Sequence, residues 1–155
     1  MSEVIHERLV ALGIVLPDPA PPIATYVPYV QTGNLVVVSG QLPVVDGHIA
    51  FTGKLRVAAQ IEQGQQAAQR CMVNVLAQLR AALDGDLGRV RRVVRLGGFV
   101  ACEPEFTAHP AVMNGASDLA VAVFEEAGRH ARSTIGVPSL PGDAMVEVEG
   151  MFEVD

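Results

Sequence analysis

A mixed β-sheet carrying two long helices on one face is the fold this chain predicts, and three observations lead to it. Val57 to Leu83 and Pro110 to Ala127 are amphipathic at helical spacing. Apolar, largely β-branched runs lie before, between and after them. Each long helix therefore connects strands, in the order β-β-α-β-α-β-β, and helices that connect strands of one sheet cover a face of it. No repeat or low-complexity tract interrupts the 155 residues, which read as one domain, 1–155.

Ser2 to Leu12 reads as a short extra helix with Ser2 as its cap and Val4, Ile5, Leu9 and Leu12 near one face. Pro17 to Pro22 cannot be helical inside and forms an extended lead-in. Tyr26 to Gln31 is extended, Thr32-Gly33-Asn34 turns, and Leu35 to Val38 is a strand expected to be covered on both faces. Asp46-Gly47 marks a hairpin that returns over His48 to Phe51. In the first long helix Ile61, Ala68, Met72, Val75, Leu76, Leu79 and Leu83 face inward. Gln60, Gln63, Gln66, Arg70 and Arg80 lie outward, and Asp84-Gly85 ends it. Val90 to Val100 is a long strand whose Gly97-Gly98 pair reads as a bulge. The second long helix turns Val112, Met113, Leu119, Ala120, Val123 and Phe124 inward and stops at Gly128. Arg132 to Val137 and Ala144 to Val154 are the last strands, joined by the Pro138 to Asp143 turn.

Composition narrows the function classes. Half of the chain is apolar and 18% is charged, which excludes a disordered protein. Aromatics make up only 5%, with no Trp, so Val, Leu, Ala and Ile must build the core. A net charge of −6 makes a poor general binder of phosphate backbones. Cys71 and Cys102 are too few for a disulfide framework or a zinc ribbon, and their apolar surroundings suit buried thiols in a reducing compartment. The N-terminus lacks a basic segment followed by an apolar run, and the long charge-free stretch from Pro19 to Val45 is broken by prolines. A cytoplasmic protein with no membrane partner is expected.

Several chemistries are absent. There is no phosphate-binding GxxxxGK[ST], no GxGxxG after a strand and no GxSxG around Ser39. His6, His48, His109 and His130 are dispersed, so no metal site is expected. The one basic cluster is Arg89, Arg91, Arg92 and Arg95, with Arg92 on the opposite face of a regular strand from the others. Without stacking aromatics it reads as a guarded strand edge, and no nucleic-acid partner is expected.

The final third carries more. In the last strand Glu147, Glu149 and Glu153 share one face and Val146, Val148, Phe152 and Val154 the other. Arg132 opens the preceding strand, and the short connection suggests antiparallel pairing of the two. Arg132 and Glu147 then either face one cleft or form a plain ion pair across the sheet. An arginine fork captures a carboxylate, and a glutamate beside it can order or deprotonate a water.

These residues resemble a known family. Arg132-Ser133, Leu140-Pro141 and Val146-Glu147-Val148-Glu149 are similar to the C-terminal signature of the Rid family, the RidA/YjgF-like reactive intermediate deaminases. Pro28-Tyr29-Val30-Gln31, Gly33-Asn34 and Leu35 to Pro43 match an earlier block, so the resemblance runs from about Pro21 to the end. Asn114-Gly115-Ala116-Ser117-Asp118 with Gly128-Arg129-His130-Ala131-Arg132-Ser133 resembles a divergent bacterial subgroup.

The resemblance implies a chorismate-mutase-like α+β fold and a barrel-like homotrimer with ligand clefts between subunits. It implies hydrolysis of 2-imino acids to 2-keto acids and ammonia, without metal or organic cofactor. Arg132 matches the family arginine that holds the substrate carboxylate, and Glu147 the glutamate that positions water. Ser39 and Gly40 match the backbone segment that contacts ligand. Thr134 takes the place of a site cysteine, and Tyr29 matches a pocket tyrosine at a shorter spacing. Asn114 lies one residue out of step with the family's helix asparagine. His130 stands where RidA types carry a proline. The alternative function is a non-catalytic small-carboxylate binder on the same trimeric scaffold. A nuclease is a third reading, opposed by the acidic charge and the lack of a metal cluster.

Overall fold

The computed structural model describes residues 2–22 and 24–155. In chain order the elements are α1 (Ser2–Ala11), β1 (Tyr29–Thr32), β2 (Leu35–Gln41), the two-residue strands β3 (Val44–Val45) and β4 (His48–Ile49), and α2 (Ile61–Ala82). Then follow β5 (Val90–Ala101), α3 (His109–Phe124), β6 (Ala131–Val137) and β7 (Val146–Val154). The large sheet has the order β1-β2-β7-β5-β6, and β3 and β4 pair separately. Strands β5 and β6 run parallel and the other pairs antiparallel. This is the expected mixed sheet with α2 and α3 on one face, the chorismate-mutase-like fold.

One expectation about the sheet is corrected. β6 does not pair with β7, because β5 lies between them, matched to β7 from Val90↔Val154 to Val100↔Val146. The α3 crossover lets β6 run parallel to β5, and because β7 occupies the other side of β5, β6 takes the sheet's edge.

The inward faces of both long helices are as expected, and Met72, Leu76, Leu79, Val112, Met113 and Val123 are buried. A 3-10 turn over Ala58–Gln60 precedes α2, with the Gln60 Oε1 accepting from the N–H groups of Arg56 and Val57. Asp84 and Gly85 adopt positive φ at its end, and the Gly85 N–H donates to the Arg80 carbonyl at 2.9 Å. The polar side of α2 is less solvated than its sequence suggests. Asn74 and Gln78 are buried. Asn74 donates to the Leu42 and Val44 carbonyls at 2.8 and 3.1 Å, and Gln78 to Ala20 at 2.8 Å. Arg80 reaches the Pro17 carbonyl at 3.0 Å. Prolines offer carbonyls but no N–H, so side-chain donors on α2 hold the lead-in down.

Helix α3 ends at Phe124, earlier than Gly128, because Glu125 turns to φ 54 and a 3-10 turn runs from Glu125 to Gly128. In α1 only Ile5 and Leu9 are buried, while Val4 and Leu12 stay exposed. Arg8 fixes this helix, donating to the Val123 carbonyl at 2.9 Å and pairing with Glu125 at 2.8 Å.

Gly97 and Gly98 are not a bulge. They pair regularly with Glu149 and Val148, and the register shifts fall at Val90/Arg92, Val93/Arg95 and Val38/Gln41. Both glycines make room for a neighbour above the strand: a Cβ on Gly97 would sit 2.8 Å from the Glu149 Cγ, and one on Gly98 3.1 Å from the Met113 Cγ. The shifts also bring Arg92 and Arg95 to one face, opposite Glu153 and Met151, correcting the expected split. Arg95 pairs with Glu149 at 3.4 Å, Arg91 with the Asp155 carboxylate, and Arg89 with the Asp155 carbonyl. These arginines tie down the sheet's own rim.

Strand β2 is not fully covered. Val36 and Val38 are buried beneath the helices, while Leu35 and Val37 lie half-buried on the sheet's open face. That face also carries Glu147, Glu149, Met151 and Glu153 from β7 and the exposed Ile135 from β6.

Candidate functional site

Arg132 lies in β6 opposite Leu96, on the helix-covered side of the sheet. Its guanidinium reaches α3. One terminal nitrogen donates to the Asn114 Oδ1 at 2.9 Å and the Ser117 Oγ at 3.1 Å. The other donates to the Pro110 carbonyl at 3.2 Å. A guanidinium has five N–H donors, so these three bonds leave two free, on Nε and one terminal nitrogen. Its partners are all neutral, and among the described residues no carboxylate comes within ion-pairing distance. The positive charge is therefore oriented but not neutralised, which is what capture of an anion requires. Thr134, two residues along the same face, has a buried hydroxyl without a hydrogen-bond partner.

His130 completes this cluster. Its Nδ1 is 2.6 Å from the Gly128 carbonyl, which can only accept, so Nδ1 carries the proton. The Nε2 is then an acceptor, and the Ser117 hydroxyl donates to it at 2.9 Å. Burial holds the His130 pKa below its ordinary value, Arg132 adds to this, and the Gly128 bond opposes it. Sequence reading noted His130 only as a departure and gave Ser117 no role. The signals were present: Ser117 lies three residues beyond Asn114 on a helix, and His130 two before Arg132.

Glu147 stands apart from this cluster. It is opposite Phe99, which pairs with Ile135, so it lies on the open face of the sheet. Two strand spacings and three residues separate it from Arg132, roughly 14 Å between Cα atoms. Neither the shared cleft nor the ion pair exists within one chain. Gly40 does meet Glu147: a Cβ there would sit 2.9 Å from the glutamate's Cδ, so the glycine leaves space for the carboxylate. Burial raises the Glu147 pKa, and the Glu149 charge raises it further. Ser39 donates to the Val27 carbonyl at 2.8 Å, which anchors the segment before β1.

Tyr29 joins neither group. It pairs with Val38 and packs against the core. Tyr26 instead lines a small cavity of about 80 Å³ beside Gly40, together with Gln41, Asn74 and Gln78. A wider cavity of about 530 Å³ lies at the N-terminus of α3, lined by Lys54, Cys102, Phe106, His109 and Gly136. There the Cys102 Sγ is 3.4 Å from the His109 Nε2, and burial pushes this thiol's pKa up. Among the described residues no group of three or more His, Cys, Asp or Glu side chains converges as a metal site. No described helix is long and apolar enough to cross a membrane.

The fold is thus an α+β sheet with an uncompensated arginine on its edge strand and a glutamate against a glycine on its open face. The chain matches the family described as "YjgF/chorismate_mutase-like, putative endoribonuclease" over residues 6–154, and it belongs to that family. It is 48% identical over 160 residues to protein TCP17 of Trypanosoma cruzi, covering 100% of this chain and 99% of that one. The crystal structure of Atu1372 from Agrobacterium tumefaciens, a protein of unknown function, superposes with a TM-score of 0.91. It is 48% identical, over 99% of this chain and 94% of that one. A 2-iminobutanoate/2-iminopropanoate deaminase of Dermatophagoides farinae is 29% identical over 135 residues, covering 86% of this chain and 89% of that protein.

Proposed function

We propose that this chain is a deaminase that hydrolyses reactive 2-imino acids to 2-keto acids and ammonia in the cytoplasm. The observation that carries the reading is Arg132, held by three neutral acceptors with two donors and its full charge available. A 2-imino acid offers a carboxylate for that fork and an electrophilic carbon beside it. The enzyme then needs to fix the carboxylate, place a water and manage protons. No metal or organic cofactor is required for this chemistry. The mite deaminase, a member at lower identity, supports the reaction class.

In this reading the working unit is a homotrimer with its clefts between subunits. The half-buried Leu35, Val37 and Met151 and the exposed Ile135 give the open sheet face an apolar surface suited to a neighbouring copy. Association also supplies what one chain lacks, a Glu147 from one subunit facing the Arg132 of another. Glu147 orients the attacking water, Asn114 seats the arginine, Thr134 and the Ser39-Gly40 backbone line the ligand, and Tyr29 closes the pocket wall.

The test is imine loss. With 2-iminopropionate generated in situ by an amino-acid oxidase, the parent protein accelerates imine disappearance and Arg132→Ala does not. Light scattering gives a mass of three chains. If the parent binds pyruvate through Arg132 yet leaves imine decay at its buffer rate, the protein is a carboxylate binder and the deaminase reading is wrong. A monomer would remove the intersubunit cleft.

A further inference from the structure

We propose that Ser117 and His130 form a proton relay serving the Arg132 site, with Ser117 touching the reacting water and His130 positioned behind it as the base. The inference rests on the deaminase reading above and adds to it a group that moves the proton.

The hydrogen bonds run in one direction. The Gly128 carbonyl fixes the proton of His130 on Nδ1, the free Nε2 accepts from Ser117, and the Ser117 Oγ accepts from Arg132. A hydroxyl oxygen has two lone pairs, and Arg132 occupies one. The other remains for an incoming proton. The Arg132 nitrogen 3.1 Å from this oxygen also favours negative charge on it. This is the arrangement of an activated hydroxyl: a base within reach, oriented by a third group. The turn that aims the Gly128 carbonyl is pinned, since a Cβ at Gly128 would stand 2.8 Å from the Val121 Cα and overlap the Ala120 carbonyl.

Within one chain, placement favours this pair over Glu147 as the proton acceptor. Ser117 contacts the same guanidinium that would hold the carboxylate, which sets its hydroxyl beside the site where the imino acid would bind. Glu147 of the same chain is on the other side of the sheet. The charged groups around His130 are Arg132 on β6 and, in its own turn, Arg129, which is paired outward with Glu126 at 3.0 Å. The cluster thus holds a neutral base beside a single fixed cation.

The step balances. Water oxygen bonds to the carbon of the protonated imine, and the C=N π electrons move to nitrogen. A water proton passes to the Ser117 Oγ as the Ser117 proton moves to the His130 Nε2. The relay then reverses: His130 returns its proton to Ser117, and Ser117 gives one to the amine nitrogen. The C–N bond breaks, its electron pair leaves with ammonia, and the hydroxyl proton follows to give a keto acid and ammonium.

The experiment compares imine hydrolysis by the parent, Ser117→Ala, Ser117→Thr, His130→Gln and Glu147→Gln, with pyruvate affinity measured alongside. Ser117→Ala and His130→Gln are expected to lower kcat about 100-fold while pyruvate affinity stays within threefold of the parent. Ser117→Thr restores most of the rate, Glu147→Gln keeps the acid limb of the pH–rate profile, and His130→Gln loses it. In the unmodified protein, nitrogen NMR at pH 7 shows His130 protonated on Nδ1. Should the parent hydrolyse imines while Ser117→Ala and His130→Gln keep its kcat, or change only pyruvate affinity, the relay is wrong and the deaminase reading stands. A parent that fails to hydrolyse imines overturns both. An Nε2-protonated His130 overturns the relay by itself.

Discussion

Replacing Gly115 with alanine sets two effects of known size against each other at the point where α2 and α3 touch. A Cβ at residue 115 would stand 2.7 Å from the Gln65 carbonyl carbon and 2.9 Å from its Cα, and would overlap the carbonyl oxygen. Ordinary contacts of a Cβ lie at 3.4 to 4 Å. The obstacle is backbone, which cannot swing aside as a side-chain tip does, so the helices must part by about an ångström. Gln65 holds the same crossing with a bond to the Ala111 carbonyl at 2.9 Å. Overpacking of this kind costs about 1–3 kcal/mol, and backbone contact puts this site at the upper end. Alanine recovers about 1 kcal/mol through helix propensity. The net is a loss of about 2 kcal/mol, equivalent to roughly 4–8 °C in Tm for a chain of this size. Urea titration of Gly115→Ala beside Asp118→Ala, an exposed control on the same helix, measures it. Because Asn114 and Ser117 flank Gly115, the same shift lengthens their 2.9 and 3.1 Å contacts to Arg132. A Gly115→Ala protein as stable as the parent, or more so, would show that propensity outweighs the contact and that the crossing has slack.

Two further outcomes are expected. The folded state holds the Glu147 proton more tightly than the unfolded chain, so the ionisation penalty is absent below the ordinary carboxylate range and grows as pH rises through the raised pKa. Glu147→Gln should therefore be more stable than the parent at pH 7 in urea titrations, with the gap closing as pH falls to about 4. Asn74→Ala removes a buried amide that bonds the Leu42 and Val44 carbonyls, which keep the Val44 N–H and the Arg70 Nε–H as donors. A loss of about 1–2 kcal/mol in denaturant titration is expected, with faster amide exchange in the β3–β4 hairpin.

Elements were legible wherever a period in the sequence matched an exposure in the structure. The alternation of β7 places every glutamate on one face and every valine on the other, because a strand with one covered side must be patterned that way. The inward stripe of α3 reads equally well. Sheet order was not legible, because periodicity says nothing about which edge a strand joins. The short 138–143 connection suggested a hairpin, while the constraint that ruled was the crossover before it. The Gly97-Gly98 reading failed for a related reason. A glycine in a strand marks either an extra residue or a close neighbour, and only the fold reveals that Glu149 and Met113 are those neighbours. The polar face of α2 misled because Asn74 and Gln78 are covered by other segments, Asn74 by the Leu42–Val44 stretch and Gln78 by the proline-rich lead-in.

The misplaced strand also explains the site. Had β6 paired with β7, Arg132 would have met a carboxylate, and an arginine neutralised by its own chain is a structural ion pair. The parallel crossover instead puts β6 at the sheet's edge and lays the connecting helix α3 over it, so Arg132 meets the Asn114 side chain, the Ser117 hydroxyl and the Pro110 carbonyl. Neutral acceptors fix a guanidinium without discharging it. The element that makes the parallel connection is thus the one that supplies the cradle. An anion-ready arginine, with a histidine–serine pair behind it, follows from the topology as directly as from the residues.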